Sequence, residues 1–200
     1  MEFTPIPILL DEVTKQVTID QSAATPERVT EIASLVATFR DLLNINVDVP
    51  LPPNQINGRL TEQVKKLKET GNTSYKKRQF ADAIRMYSLA IEMATKRVPW
   101  EASAYQRDEL AILYSNRAQA EMSLLHWEEA LLDADTAVYL KRPFQKAHFR
   151  KGKCLENLGR YREAKDAYEL GLECGGTADG SEAEIKQSLK DVEKILADQL

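Results

Sequence analysis

The chain has 200 residues, 43% of them hydrophobic, a formal net charge of −4 and a pI near 5.4. That is enough apolar material for one sizeable core, or for one solenoid with a small appendage. The acidic balance argues against a general nucleic-acid or anionic-membrane surface, so any basic patch has to be local.

In chain order, "MEFTPIPILLDEVTKQ" lacks a basic start and a long apolar run. No window approaches the roughly 20 apolar residues of a membrane-spanning helix, so direct membrane insertion is not expected. "FTPIPILLDEVTKQVTID" is rich in Ile, Val and Thr and predicts two short strands around a polar turn, with Pro5 and Pro7 confining the first to an edge. Thr25 and Pro26 then open a helix over "ERVTEIASLVATFRDLL", and "NVDVPLPPNQINGRL" reads as an extended linker. A hairpin and one helix are too small to be stable alone. Residues 1–48 are therefore expected to form a small α/β region that docks on a partner, followed by a proline-containing linker at 49–60.

From residue 61 the chain repeats. "FADAIRMYSLAI", "WEEALLDADTAV" and "YREAKDAYELGL" align without gaps on Ala83, Ala130 and Ala164. The second interval is 34 residues, and the first is 47, a 34-residue unit carrying an insertion of 13 around Pro99. Twelve residues before each alanine stands a small residue, Gly71, Ala118 or Gly152, where one helix passes close to its neighbour. Each unit reads as two amphipathic helices joined by a polar turn such as "KKRQ" or "NLGR", and neither helix can bury its apolar face alone. After "ECGGTADG", Ser181 and Glu184 form a capping box that opens a last helix, with Ile185, Leu189, Val192 and Leu196 on one stripe. The fold class is thus mainly α, a three-repeat superhelix over 61–178 with a capping helix at 179–200, preceded by the small α/β region.

These residues resemble the tetratricopeptide repeat (TPR) family. In that architecture the first helix of each repeat lines a concave groove. The resemblance sharpens at Lys68, Asn72, Asn116, Lys146 and Arg150, in "LKETGN", "LYSNRA" and "QKAHFR", which occupy the places of the dicarboxylate clamp of chaperone-binding TPR domains. It implies a groove for the acidic C-terminal tail, Glu-Glu-Val-Asp, of heat-shock protein 70 or 90. The chemistry suits these types. Lys68 and the two asparagines can hold terminal carboxylates, the amides donating hydrogen bonds without adding a desolvated charge. Lys146 and Arg150, four apart on one helical face, can hold acidic groups nearby. Tyr75, Gln119, Met122 and Lys153 are further candidate groove contacts, and for Tyr75 and Met122 helix packing is an equal alternative.

The rest of the inventory is bland. Cys154 and Cys174 have no Cys-x-x-Cys or histidine cluster beside them, which argues for a reducing compartment and small structural residues rather than a disulfide or zinc site. His126 and His148 lack partners at ligand spacing. No phosphate loop, nucleophile elbow or His-Glu-x-x-His is present, so no enzymatic activity, cofactor or metal is expected. A nucleic-acid role would need a longer basic stripe with stacking aromatics. The layout as a whole resembles the fungal translocation proteins that form the cytosolic TPR subunit of the endoplasmic reticulum Sec complex. That resemblance implies a cytoplasmic protein, peripheral on the reticulum membrane through a membrane-anchored Sec subunit bound by the N-terminal region, which receives post-translational substrates from heat-shock protein 70. A free co-chaperone and a purely structural scaffold subunit are the alternatives.

Overall fold

The computed structural model describes residues 8–10, 17–19, 56–97, 101–174 and 181–198. The chain divides into two units, Met1–Gln55 and Ile56–Leu200. In the first, β1 (Ile8–Leu10) and β2 (Val17–Ile19) pair antiparallel, with Ile8 opposite Ile19 and Leu10 opposite Val17. This is the hairpin that the Ile, Val and Thr content predicts. The helix expected from Pro26 onward, most of the linker, Pro99 and the Gly-rich stretch before the last helix lie outside the described residues.

The second unit is a row of seven helices among the described residues: α1 (Gly58–Lys76), α2 (Phe80–Thr95), α3 (Ser103–Ser123), α4 (Trp127–Leu140), α5 (Gln145–Asn157), α6 (Tyr161–Glu173) and α7 (Ser181–Asp198). Each packs on the next, and α3 also meets α5 as α5 meets α7. The first helices of successive repeats therefore lie side by side along one surface, and α7 continues that series. α1 starts at Gly58, inside the stretch assigned to the linker, because the Asn57 side chain accepts from the Leu60 amide at 3.1 Å and caps the helix.

The core is built from the repeat positions themselves. Ala83, Ala130 and Ala164 are fully buried, as are Ala118 and Ala134. Gly71 faces Tyr87 so closely that a Cβ would lie 2.6 Å from the ring, and Gly152 meets Tyr168 in the same way. In the middle repeat the equivalent pair is Ala118 and Ala134. A tyrosine ring against a glycine backbone in the outer repeats gives way to two facing small residues in the middle one, both fully buried. The last core is closed by α7: Ile185 and Val192 are fully buried against Leu155, Ala167 and Tyr168, with Leu189 and Leu196 packed beside them.

All three turns inside the repeats end their first helix in the same way. Arg78, Leu125 and Gly159 stand at φ 60°, 63° and 74°, and the amide after each reaches back five residues, Gln79 to Ser74, His126 to Glu121 and Arg160 to Leu155. This is the 6→1 bond of a Schellman motif. Only the third repeat uses the residue type that tolerates the left-handed conformation without strain.

The insertion lengthens α3, which runs for 21 residues against 13 in α5. Its anchor is Arg97, whose buried guanidinium donates to Glu101 at 2.7 Å, to both carboxylate oxygens of Glu109 at 2.9 and 3.1 Å, and to Thr61 on α1 at 3.1 Å. Tyr105 stacks on the same cation at 5.0 Å. A buried cation needs such a shell to offset its desolvation.

Candidate peptide-binding groove

Lys68 and Asn72 lie one turn apart on α1, Asn116 on α3, and Lys146 and Arg150 one turn apart on α5. Of the five, Asn72, Asn116 and Arg150 come together where these helices meet, Arg150 reaching α3 and Asn116 reaching α1. Asn72 and Asn116 meet directly, Nδ2 of Asn116 standing 3.4 Å from Oδ1 of Asn72. That oxygen also accepts from the Tyr87 hydroxyl at 2.7 Å. The Asn72 amide oxygen is thereby occupied, and its NH2 remains available as a donor. Burial pushes the Tyr87 hydroxyl up to about 12, against the lowering effect of the Arg150 charge, so it stays a donor.

Arg150 is held from α3. Its Nε donates to Gln119 Oε1 at 3.1 Å, and its Nη1 donates to the Ser115 hydroxyl. Both partners are neutral, and among the described residues Arg150 meets no carboxylate. Burial holds its pKa below the ordinary guanidinium value, at about 10, which leaves it charged at neutral pH. Lys68 likewise has no ion-pair partner among the described residues. Two other arginines, one buried and one half-buried, behave differently. Arg97 is matched by Glu101 and Glu109, and Arg117 is gripped by both oxygens of Asp133 at 2.6 and 2.7 Å.

The remaining candidates divide. Gln119 is the partner of Arg150. Tyr75 packs on Phe80 with ring centroids 5.3 Å apart, and its hydroxyl lies 3.3 Å from Ser123 Oγ. Met122 is half-buried in the last turn of α3. Lys153 pairs with Glu156 at 3.0 Å, and the same Glu156 oxygen accepts from the Tyr168 hydroxyl. Lys146 is exposed at the first turn of α5. Of the residues expected to be structural, Cys154 is fully buried, with its thiol pushed up to about 12 by burial, and His148 is buried with Nε2 3.0 Å from the Arg142 carbonyl. His126 is exposed and Cys174 half-buried; both cysteines are free, and no cluster of metal-ligating side chains occurs among the described residues.

Sequence reasoning missed Ser115 and Tyr87, which orient Arg150 and Asn72. A signal existed for Ser115, a hydroxyl at a position that the periodicity makes fully buried, directly before Asn116. None existed for Tyr87, whose apolar role in the core explains its place without any bond.

No family model matches the chain. The ER protein translocation subcomplex subunit sec67 of Schizosaccharomyces pombe is 36% identical over 146 residues, 73% of this chain and 75% of that protein. The translocation protein SEC72 of Saccharomyces cerevisiae is 34% identical over 119 residues, 59% of this chain and 62% of that protein. The chain belongs to the Sec67/Sec72 family of translocation subunits. A chain in the cryo-EM structure of the Sec complex from S. cerevisiae superposes on this translocation subunit with a TM-score of 0.65 and 25% identity, covering 96% of the subunit and 98% of that chain. The second TPR domain of human RPAP3, solved in complex with the HSP70 peptide SGPTIEEVD, superposes with a TM-score of 0.54 and 25% identity over 67% of the subunit and 98% of that domain. The helical row is thus a TPR domain related to domains that bind chaperone peptides. No helix among the described residues is long and apolar enough to cross a membrane.

Proposed function

We propose that this translocation subunit docks cytosolic heat-shock protein 70 by clamping its acidic C-terminal Glu-Glu-Val-Asp tail, and so delivers post-translational substrates to the translocation channel of the endoplasmic reticulum. Lys68, Asn72 and Asn116 hold the terminal carboxylates, while Lys146 and Arg150 hold acidic groups of the tail. The observation that carries this reading is the unmatched charge of the groove. Arg97 and Arg117 serve the fold and each has its carboxylates, whereas Arg150 and Lys68 face the groove without one. An incoming carboxylate would supply a charge-assisted hydrogen bond there. Residues 1–48 serve as the docking region for a membrane-anchored Sec subunit, which places the protein on the cytosolic face of the membrane.

Titration calorimetry with a peptide ending in Glu-Glu-Val-Asp tests the clamp. Amidating its terminal carboxylate should weaken binding by about 1.5 to 3 kcal/mol, the scale of a hydrogen bond to a charged group. Equal affinity for the acid and the amide would refute it. Similar affinity for the tails of heat-shock proteins 70 and 90 would instead favour a general co-chaperone.

A further inference from the structure

The groove does not end at Lys68. One turn before Asn72 on α1 and one turn before Asn116 on α3, it opens into a cleft of about 250 Å³, floored by Val64, Ile112 and Tyr105 and edged by Lys65 and Lys68. A residue four places along a helix lies about 6 Å away on the same face. The cleft is therefore the direct continuation of the surface that carries the clamp asparagines.

The 13-residue insertion contributes Tyr105, Asp108 and Glu109 to the wall of this cleft, and α1 contributes the opposite wall. It supplies the first turns of α3, on which Tyr105 stands with Ile112 just beyond, and the buried Arg97 fixes those turns to α1 through Thr61 and Glu109. The electrostatics select the kind of group that fits. Two carboxylates border the cleft, Asp108 and Glu109, but Glu109 is held by Arg97 at 2.9 Å and Asp108 by Lys141 at 3.2 Å. Lys65 and Lys68 have no carboxylate partner among the described residues. What faces an entering chain is an apolar floor with uncompensated positive charge on its rim.

We infer that this cleft is a second peptide subsite, which takes an apolar side chain lying just C-terminal to the acidic residue in the clamp. The inference rests on the proposed clamp and extends it. Acidic segments that run on past the clamp, and not only chain termini, are then ligands of the groove. The main-chain carboxylate lost in such a ligand is offset by burial of the following apolar side chain over Val64 and Ile112, while the acidic side chain before it keeps its contact with the lysines.

Calorimetry on the full chain with four peptides decides the matter: one ending in Glu-Glu-Val-Asp, its amide, and the same sequence extended by one Leu or by one Lys, each extension amidated. The Leu-extended peptide is expected to bind at least fivefold more tightly than the Lys-extended peptide and than the simple amide. In Ile112→Asn the ratio of the Leu to the Lys affinity is expected to fall toward one. If the Leu and Lys extensions bind alike in the unmodified protein while the free-acid tail binds well, the subsite is overturned and the clamp stands. If the free-acid tail itself fails to bind, the clamp falls and the subsite with it. A Leu preference that persists unchanged in Ile112→Asn would place the apolar side chain elsewhere and overturn the assignment to this cleft.

Discussion

Glu121 shows how one residue can couple the fold to pH. It stands on α3 beside Asp133, with Oε1 3.9 Å from Arg117 Nε, and its Oε2 is buried without a hydrogen-bond partner among the described residues. Arg117 spends its short bonds on Asp133 and Ser88, so desolvation and the Asp133 charge push the Glu121 carboxyl up to about 7. A carboxyl raised in the folded state holds a proton that the unfolded chain has released. Its contribution to stability is therefore greatest below the unfolded value of 4.5 and is lost as pH rises toward about 7. Glu121→Gln keeps the protonated shape at every pH. Urea unfolding is expected to show the variant gaining on the unmodified protein between pH 5 and 8, with the two converging at the acid end; parallel pH profiles would mean that Glu121 is not the group that titrates. The residues of the proposed clamp differ in how far they belong to the fold. Asn72 and Arg150 each hold internal partners, Tyr87, Ser115 and Gln119, so truncating either also leaves a polar group unpaired. Lys68 has no such partner, which makes it the cleanest place to remove a clamp charge.

At the scale of the element, the turn between α3 and α4 closes on a strained residue. Leu125 holds a left-handed conformation while 68% exposed, so it bears the backbone strain and gains little burial in return. Leu125→Gly should stabilise the domain by about 0.5 to 1 kcal/mol, the left-handed penalty less the entropy that glycine brings to the unfolded chain. A shift of the urea midpoint reads this directly, and a destabilised variant would show that the Leu125 side chain packs usefully. Helices and turns were legible in the sequence because the constraints repeat: Ala83, Ala130 and Ala164 had to be small, and their spacing fixed the phase of everything between. The start of α1 was less legible, since the prolines just upstream drew attention away from the Asn57 cap. The buried network around Arg97 was not legible at all. Its partners are three stretches apart in the chain, and an Arg before a Pro-Trp pair looks like any surface cation until α3 is folded back over α1.

At the scale of the whole molecule, the two units have separable tasks in this account. TPR solenoids are stabilised chiefly by neighbouring repeats, and α7 already closes the end of the row with Ile185 and Val192. Deleting residues 1–55, which spares the Asn57 cap, should release the protein from microsomal membranes while leaving tail affinity within about a factor of two. Fractionation and calorimetry on the same sample check both halves, and persistent membrane association would move docking onto the solenoid. Of the proposed site, the phased Lys, Asn and Arg residues were legible in the sequence. What the sequence could not convey was its charge balance, which depends on which cations the fold consumes. Arg97 and Arg117 are consumed, whereas Arg150 is left with neutral partners. The central claim is that this unmatched charge reads an acidic tail, and the most direct measurement is the affinity of Lys68→Ala for a Glu-Glu-Val-Asp peptide by titration calorimetry, beside its unfolding midpoint. The account predicts binding weakened by about 1.5 to 3 kcal/mol at an unchanged midpoint; affinity equal to that of the unmodified protein would contradict it.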